Sequence, residues 1–426
     1  MNPPESSRAR RVVGWGSTGP RAYFPAVSLT NQSPMPRYLT AGESHGEALV
    51  GIVEGLPAGI PVTAELIDHH LARRWLGFGR GGRAKFETDH VRILSGVRFS
   101  KTMGSPVALQ LTNEAYHRDK SGWPEIMSVG GTGEGVEPIT LPRPGHADLA
   151  GVQKYGFEDI RPVIDRSSAR ETAMRVACCT VARSFLAEFG IHVGSHVLRI
   201  GEIGYESAGE WSPRVEALLQ SGGPEALYRA ADASEVRMLD TDLTARCVEH
   251  IRSVKQDGDS LGGIYEVVVT GVPTGLGSYV QWDRRLDGRL AQAILSIQAQ
   301  KAVEIGDGIE GARNRGSRVH DPITLNGDRF VRTSNHAGGI EGGMSNGMPI
   351  VIRGFMKPIP TLVKPLGTVD IRTMESTPTR YERSDVTSVP AASTVAEAVV
   401  AWTIAEAFLE KFGGDHLDEI RSRYPV

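Results

Sequence analysis

The sequence has little cysteine, and this shortage excludes several kinds of protein. Only three cysteines occur in 426 residues, with Cys178 and Cys179 adjacent and Cys247 alone. Three thiols cannot form a disulfide framework, and such usage is typical of a reducing cytoplasm. No Cys/His spacing resembles a zinc site, so no metal is expected.

Long apolar runs and strong net charge are also missing. Because no run of eighteen apolar residues occurs, no membrane span is predicted. The basic N-terminus, with Arg8, Arg10 and Arg11, is not followed by the apolar segment of a secretory signal. A formal net charge of −3 gives no reason to expect a nucleic acid or an anionic membrane as partner.

Glycine, in contrast, is abundant, with 50 residues, and indicates many tight turns and close backbone approaches. Residues 1–34 are rich in Pro, Ser, Gly and Arg, and we interpret them as a flexible N-terminal leader. Structured sequence is expected to begin at Met35. Residues 37–53 predict a strand, a turn and a second strand.

Three helices are predicted further along the chain. Two begin with the capping boxes Ser168/Glu171 and Thr394/Glu397 and end at Gly190 and Gly413. The other spans Leu286–Lys301, and strands are predicted at 264–270 and 350–352. Residues 200–250 are weakly patterned and are interpreted as a peripheral insert. Helix and strand signals without a regular βαβ alternation favour an α+β fold.

Two arginine-rich segments are candidates for anion binding. Residues 71–85 combine five basic side chains with four glycines, which predicts a loop suited to phosphate or carboxylate. A solvated basic loop is the alternative. In the second segment Arg166 and Arg170 flank the predicted helix start at Ser168, where free N–H groups favour anions. Simple capping by Ser168 and Glu171 is the alternative, and both readings are compatible.

Two histidines lie in glycine turns, His45 in GESHG (42–46) and His146 in RPGHAD (143–148). A histidine on a rigid turn can transfer protons near neutral pH, although a lone histidine is more often a surface or capping residue. Paired glycines at 338–339 and 342–343 would let the backbone approach a flat or phosphorylated cofactor, or form ordinary turns. These residues suggest an anionic substrate and proton transfer, but they name no reaction.

Eight segments in order resemble the chorismate synthase family, over about residues 35–412. They are GESHG (42–46), RRWLGFGRGGR (73–83), RPGHAD (143–148), RSSARETAMRVA (166–177), GDSLGG (258–263), SNHAGGIEGG (334–343), MKPIPT (356–361) and RSD (383–385). The resemblance implies one catalytic domain over 35–426, an α+β sandwich of β-α-β layers with internal pseudo-symmetry, and a cytoplasmic homotetramer. It also implies the anti-1,4 elimination of phosphate from 5-enolpyruvylshikimate-3-phosphate, which gives chorismate and requires reduced FMN. Whether NADPH or an external flavin reductase supplies the electrons is left open.

The resemblance also assigns roles to residues. His45 would protonate the departing phosphate, His146 the reduced flavin, and Asp385 would help to relay the substrate proton, with Ser44 and Ser168 as relay hydroxyls. Substrate anions would be held by Arg74, Arg80, Arg83, Arg143 and Arg170. FMN contacts would come from Arg166, Ser167, Ser168, Gln298, Ala299, Gly342, Lys357, Pro358, Ile359, Pro360, Thr361 and Arg383.

Two alternatives remain beside this hypothesis. One is another flavin-assisted lyase or reductase that acts on an anionic substrate. The other is a non-catalytic flavin-binding relative, which we would expect to have lost His45, His146 or Asp385. All three are present.

Overall fold

Two antiparallel sheets enclose a layer of helices in the part of the chain that the structure describes. This structure is a computed structural model, and it describes residues 36–80, 88–118, 120–380 and 385–424. The predicted leader, Arg83 and Arg383 lie outside these ranges. The predicted α+β class is confirmed.

In the described residues the strands form two main sheets, with orders β1-β2-β6-β3 and β10-β15-β9-β7-β8, and four two-stranded ribbons. Their bounds are β1 (Arg37–Ala41), β2 (Ala48–Glu54), β3 (Val91–Ser95), β4 (Val97–Arg98), β5 (Lys101–Thr102), β6 (Val107–Thr112), β7 (His192–Ile200), β8 (Ile203–Gly204), β9 (Gly263–Thr270), β10 (Gln300–Ile305), β11 (Ile323–Asn326), β12 (Arg329–Arg332), β13 (Ile340–Glu341), β14 (Met344–Ser345), β15 (Ile350–Met356), β16 (Gly367–Val369) and β17 (Ser376–Pro378).

The helices between and around these strands vary widely in length. Their bounds are α1 (Ala64–Arg74), α2 (Glu114–His117), α3 (Trp123–Ile126), α4 (Asp148–Tyr155), α5 (Arg161–Ser167), α6 (Glu171–Ala187), α7 (Ala208–Asp232), α8 (Thr241–Gln256), α9 (Leu286–Leu295), α10 (Gly308–Gly311), α11 (Val389–Phe412) and α12 (Leu417–Arg423).

Each main sheet is covered on its inner face by one long helix. α6 packs against β1, β2 and β6, α11 packs against β7, β9 and β15, and the two helices pack against each other. α7 covers the opposite face of the second sheet, where Leu198 and Val268 join Trp211 and Leu227 in a separate apolar cluster. Because both faces of β9 are covered, the run Val267, Val268 and Val269 is apolar without alternation, and all three side chains are buried. The pairing of each sheet with one helix agrees with the expected pseudo-symmetry.

The helix α11 is long and apolar enough to cross a membrane, but 89% of its most apolar stretch is buried inside the protein. It contacts strands of the second sheet and the helices α1, α6 and α9. A helix surrounded on all sides is apolar all round for that reason. α11 is therefore a core helix.

The close contact between β2 and α6 depends on Gly51. A Cβ atom at this position would lie 2.4 Å from Cys178 Sγ and 2.5 Å from Met174 Sδ. We expect Gly51→Ala to lower the free energy of unfolding by about 1–3 kcal/mol, because the core would be overpacked. Urea denaturation measures this loss, and Cys178→Ala in the same chain should recover part of it.

The matched control for this substitution is Gly288→Ala in α9, where an added Cβ atom meets no described atom within 4 Å. Alanine in a helix loses less conformational entropy on folding than glycine, so this variant should be at least as stable as the wild type. A Gly51→Ala protein with wild-type stability would show that α6 does not pack this closely.

Both predicted capping boxes are wrong. α6 begins at Glu171, not at Ser168, and the Glu171 carboxylate accepts hydrogen bonds from Thr40 and Arg175 instead of turning back to its helix end. α11 begins at Val389, five residues before the predicted start, with Pro390 in its first turn. In both cases a partner from another element, Thr40 for Glu171 and Arg73 for Glu397, binds the carboxylate that the local cap would need.

Two further predictions need correction. The helix predicted to reach Lys301 ends at Leu295, because Ala299 adopts a left-handed φ of 66° and Gln300 begins β10. Residues 200–250 are not a peripheral insert. They form α7 and much of α8, and they place Arg237, a fully buried side chain, in the core.

Arg237 belongs to a buried charged cluster centred on Glu397 of α11. The Glu397 carboxylate accepts hydrogen bonds from Arg73 at 2.7 and 2.8 Å, from Arg183 at 2.8 Å, from Arg237 at 3.2 Å and from Ser195 at 2.6 Å. These contacts join α1, α6 and β7 to α11, and the next residue after Arg73 lines the cavity described below.

Candidate active site

A cavity of about 630 Å³ opens where the helical layer meets the turns between elements. All five predicted catalytic residues line it: His45, Ser44, His146, Ser168 and Asp385. So do the predicted anion-binding residues Arg74, Arg80, Arg143 and Arg170. Residues separated by more than 300 positions in the sequence are thus brought to one site.

His45 is fixed on the turn between β1 and β2. Gly42 has a φ of +99°, and a Cβ atom there would lie 2.3 Å from Ala48 O, so the turn requires glycine. His45 Nδ1 lies 2.6 Å from Oδ1 of Asp165, a buried carboxylate of α5, and the imidazole stacks on Trp123 with ring centroids 3.9 Å apart. With Nδ1 held by a carboxylate, Nε2 is the nitrogen left to exchange a proton.

His146 has the same kind of partner at the start of α4. Its Nδ1 lies 2.5 Å from Asp148 Oδ1, and Arg143 Nε donates to Asp148 Oδ2 at 2.8 Å. Burial alone would raise the pKa of Asp148, but the hydrogen bonds from His146 and Arg143 hold it well below its ordinary value. Asp148 therefore remains a carboxylate that orients the ring and can balance a protonated imidazole.

The two predicted relay hydroxyls are in contact. Ser168 Oγ donates to Ser44 Oγ at 3.2 Å and accepts from Arg170 N at 3.3 Å. The backbone N–H of Ser44 donates to Asp165 O at 3.1 Å, so this pair lies beside the carboxylate that holds His45.

The arginines are arranged by buried acceptors and leave several N–H groups unused. Arg80 pairs with Asp385 at 3.1 Å. Burial lowers the pKa of Arg74 to about 10, although Asp89 acts in the opposite direction. Among the described residues, Arg74 Nη1, Arg80 Nε and Arg170 Nη2 have no hydrogen-bond partner. Buried donors without partners are rare, so they suit an anion that arrives in the cavity.

Another part of the cavity lining combines apolar surface with a few polar groups. Ile297, Met356, Ile359 and Val395 contribute the apolar part, and most of the predicted FMN contacts line the cavity as well: Ser167, Ser168, Gln298, Ala299, Lys357, Ile359, Pro360 and Thr361. Within the described chain, the buried Ser167 Oγ and Gln298 Oε1 have no hydrogen-bond partner.

Three predicted FMN contacts do not line this cavity: Arg166, Pro358 and Gly342. Arg166 donates instead to Thr40 O and Gly42 O, and thereby supports the turn that carries His45. Gly342 lies in the β13–β14 hairpin, whose strand β14 packs against α9. Arg83 and Arg383 lie outside the described residues.

Sequence reasoning missed the acidic residues that hold the predicted catalytic and substrate-binding side chains, namely Asp165, Asp148 and Asp89. Only Asp148 lies close in sequence to the histidine that it holds, two residues after His146 within RPGHAD. Asp165 is 120 positions from its partner His45, and the stacking residue Trp123 is also remote. Single-sequence patterns carry no signal for such distant pairs.

Comparison with known proteins identifies the family of this chain. The family model described as chorismate synthase matches residues 36–409. A chorismate synthase of Salinibacter ruber is 64% identical over 392 residues, which are 91% of this chain and 97% of that protein. One of Chlorobaculum tepidum is 54% identical and covers 92% of this chain and 97% of its own.

A solved structure supports the fold independently. The crystal structure of a chorismate synthase matches with a TM-score of 0.72 and 41% sequence identity, over 92% of this chain and 97% of that one. Family model, relatives and structure agree over nearly the whole length. The chain belongs to the chorismate synthase family.

Proposed function

We propose that this chain catalyses the anti-1,4 elimination of phosphate from 5-enolpyruvylshikimate-3-phosphate to chorismate, with reduced FMN as cofactor. The observation that carries the proposal is one cavity that joins two histidine–aspartate pairs with four arginines. The family is one of carbon–oxygen lyases of the shikimate pathway, and the substrate carries a phosphate and two carboxylates. Such a substrate requires cationic groups and a proton donor.

The apolar part of the cavity lining and the polar groups beside it fit FMN. Ile297, Met356 and Ile359 offer apolar surface for a flat ring system, and Ser167 and Gln298 carry buried polar atoms that lack partners among the described residues. Reduced FMN, when bound, supplies electron density that favours departure of the phosphate.

Lys357, which lines the same cavity, supports the same fit. Its Nζ donates a hydrogen bond to Gly145 O at 2.6 Å. Burial and the positive charge of the nearby Lys301 lower the pKa of this ammonium group. A cation at this position would complement the phosphate of FMN.

The protein's own part is to bind, orient and move protons. Arg74, Arg80 and Arg170 neutralise substrate anions and hold them away from water. His45 holds a proton at Nε2 for the departing phosphate, because Asp165 occupies Nδ1. Ser44 and Ser168 form a hydrogen-bonded link, and Asp385 faces the cavity between Arg80 and Ser388 as a proton acceptor.

The extent of the catalytic unit, the oligomeric state, the compartment and the source of electrons are proposed from membership of the family. The catalytic unit begins near Met35, in line with the family match from residue 36. The protein acts as a homotetramer in the cytoplasm, and its flavin is reduced by an external flavin reductase or by NADPH. The three free cysteines are buried, which fits a reducing compartment.

The direct test is anaerobic incubation of the folded protein with chemically reduced FMN and 5-enolpyruvylshikimate-3-phosphate. Phosphate and chorismate should appear in equal amounts. Flavin binding without product would identify a non-catalytic relative, and reduction of the substrate would identify another flavin enzyme. Either result would contradict the proposal.

Asp165→Asn tests the part assigned to His45. The amide would no longer balance a protonated imidazole, and it can donate to Nδ1, which would hold the ring in the wrong tautomer. We expect kcat for phosphate release to fall about tenfold or more, with the dissociation constant of FMN unchanged. Wild-type kcat in this variant would show that His45 does not depend on Asp165 for proton transfer.

A further inference from the structure

Asp89 is a buried carboxylate to which the proposed mechanism gives no part. It lies two residues before β3, and its side chain has no exposed surface. Its Oδ1 lies 2.5 Å from Arg170 Nη1, its Oδ2 accepts from Trp75 Nε1 at 2.9 Å, and Arg74 Nη1 lies 3.8 Å from Oδ2. A buried carboxylate is costly unless it is paired in this way. Asp89 therefore lies between two arginines of the cavity.

Neighbouring residues fix the same two guanidinium groups. Arg74 donates to Thr172 Oγ1 at 3.0 Å and to Ala169 O at 2.9 Å, while Arg170 Nε donates to Asn113 Oδ1 at 2.9 Å. In the described chain, one Nη atom of each arginine is buried without a hydrogen-bond partner. Two donors held in fixed directions thus remain for an anion.

Charge explains why a carboxylate is needed here. Two guanidinium groups share one negative charge, so the cluster keeps one positive charge in excess for a ligand. Arg170 opposes the protonation of Arg74, and Asp89 favours it. Without Asp89, two buried like charges would repel each other and separate.

We propose that Asp89 is a positioning residue that aligns Arg74 and Arg170 into one binding site for a phosphate or carboxylate group of the substrate. This inference rests on the proposed function, because it concerns how the same substrate is held. Asp89 itself carries the wrong charge to touch the anion, so it acts through the arginines.

Asp89→Asn is the direct test. The amide N–H₂ would face the donors of Arg170 and Trp75, and the two arginines would lose their shared counter-ion. Calorimetry with 5-enolpyruvylshikimate-3-phosphate and oxidised FMN should show substrate binding weakened about tenfold or more. The dissociation constant of FMN should stay within about twofold. Unchanged substrate affinity in the folded variant would overturn the inference.

Asp68→Asn is the matched control. Asp68 accepts hydrogen bonds from His90 and from the backbone N–H of Val91, the two residues that follow Asp89 in the sequence. It pairs with neither Arg74 nor Arg170. Its replacement should leave the affinity for substrate unchanged. An equal loss in both variants would indicate a general disturbance of this segment and would overturn the inference.

A double-mutant cycle separates positioning from simple folding support. If Asp89 acts through Arg170, Arg170→Gln should weaken substrate binding less in the Asp89→Asn protein than in the wild type. If the losses of substrate affinity in the two single variants simply multiply in the double variant, Asp89 does not act through Arg170, and the inference is contradicted. If Asp89→Asn does not fold, Trp75→Phe removes one hydrogen bond to Asp89 and should weaken binding about threefold, and unchanged affinity would overturn the inference.

Calorimetry also keeps the two hypotheses apart, because it needs no turnover. A wild-type protein that binds the substrate but releases no phosphate would contradict the proposed function, and the effect of Asp89 could still be measured. A wild-type protein that does not bind the substrate would overturn both.

Discussion

Replacement of His146 with alanine is expected to lower kcat for phosphate release by about 10²- to 10⁴-fold, the range for loss of a positioned proton donor. His146 lines the cavity, and its Nδ1 is held by Asp148, which stays ionised through the hydrogen bonds from His146 and Arg143. A solvent water lacks this fixed position and this charge balance. FMN binding, measured by fluorescence titration, should change little.

The control for this variant is His90→Ala. His90 also pairs with a carboxylate, Asp68, at 2.9 Å, but its side chain is 75% exposed and it does not line the cavity. Its removal should leave kcat unchanged. A His146→Ala protein with wild-type kcat would exclude the histidine from proton transfer, and loss of FMN binding would assign it to the cofactor site instead.

Glu397→Gln is expected to lower the free energy of unfolding by about 3–5 kcal/mol, the usual cost of removing one partner from a buried ion pair. Three arginines, Arg73, Arg183 and Arg237, donate to this fully buried carboxylate. An amide cannot balance their charge, and its N–H₂ group would face other donors. Urea denaturation at neutral pH measures the loss.

The control on the same helix is Glu410→Gln. Glu410 pairs with Arg289 at 2.8 Å but is 39% exposed, so solvent screens the pair. Its replacement should change stability by less than about 1 kcal/mol. If both variants lose the same free energy of unfolding, the buried cluster stabilises the fold no more than an exposed ion pair does.

Acid should destabilise the folded protein through the same buried cluster around Glu397. Burial alone would raise the pKa of Glu397, but Arg73, Arg183 and Arg237 hold it well below the ordinary value of 4.5. A folded pKa below the unfolded one gives stability that is complete above pH 4.5 and is lost as the pH falls further. The wild type should therefore lose more stability than Glu397→Gln over that acid range.

The sequence predicted best where local signals decide the structure. The strand–turn–strand around His45 was predicted because glycines bound the turn and apolar residues follow it. The ends of α6 and α11 were marked by glycine. Their starts were misplaced because distant groups, Thr40 for Glu171 and Arg73 for Glu397, bind the side chains that local rules would use as caps.

The site was predictable as a set of residues but not as an arrangement. Nothing local indicates that His45 meets Asp165, or that Asp89 lies between Arg74 and Arg170, because these contacts depend on how α1, α5 and α6 pack. Arg73 and Arg74 show the limit clearly. They are adjacent in one basic segment, yet one lies in the core with Glu397 and the other lines the cavity.

The central claim, a reduced flavin that assists phosphate elimination without being consumed, is tested most directly by stoichiometry. Folded protein would be mixed anaerobically with a limiting amount of reduced FMN and a large excess of 5-enolpyruvylshikimate-3-phosphate, and phosphate and reduced flavin would be counted at the end. We expect many phosphates to be released for each flavin, with the flavin still reduced at the end. Release of no more than one phosphate per flavin, with the flavin oxidised, would contradict it.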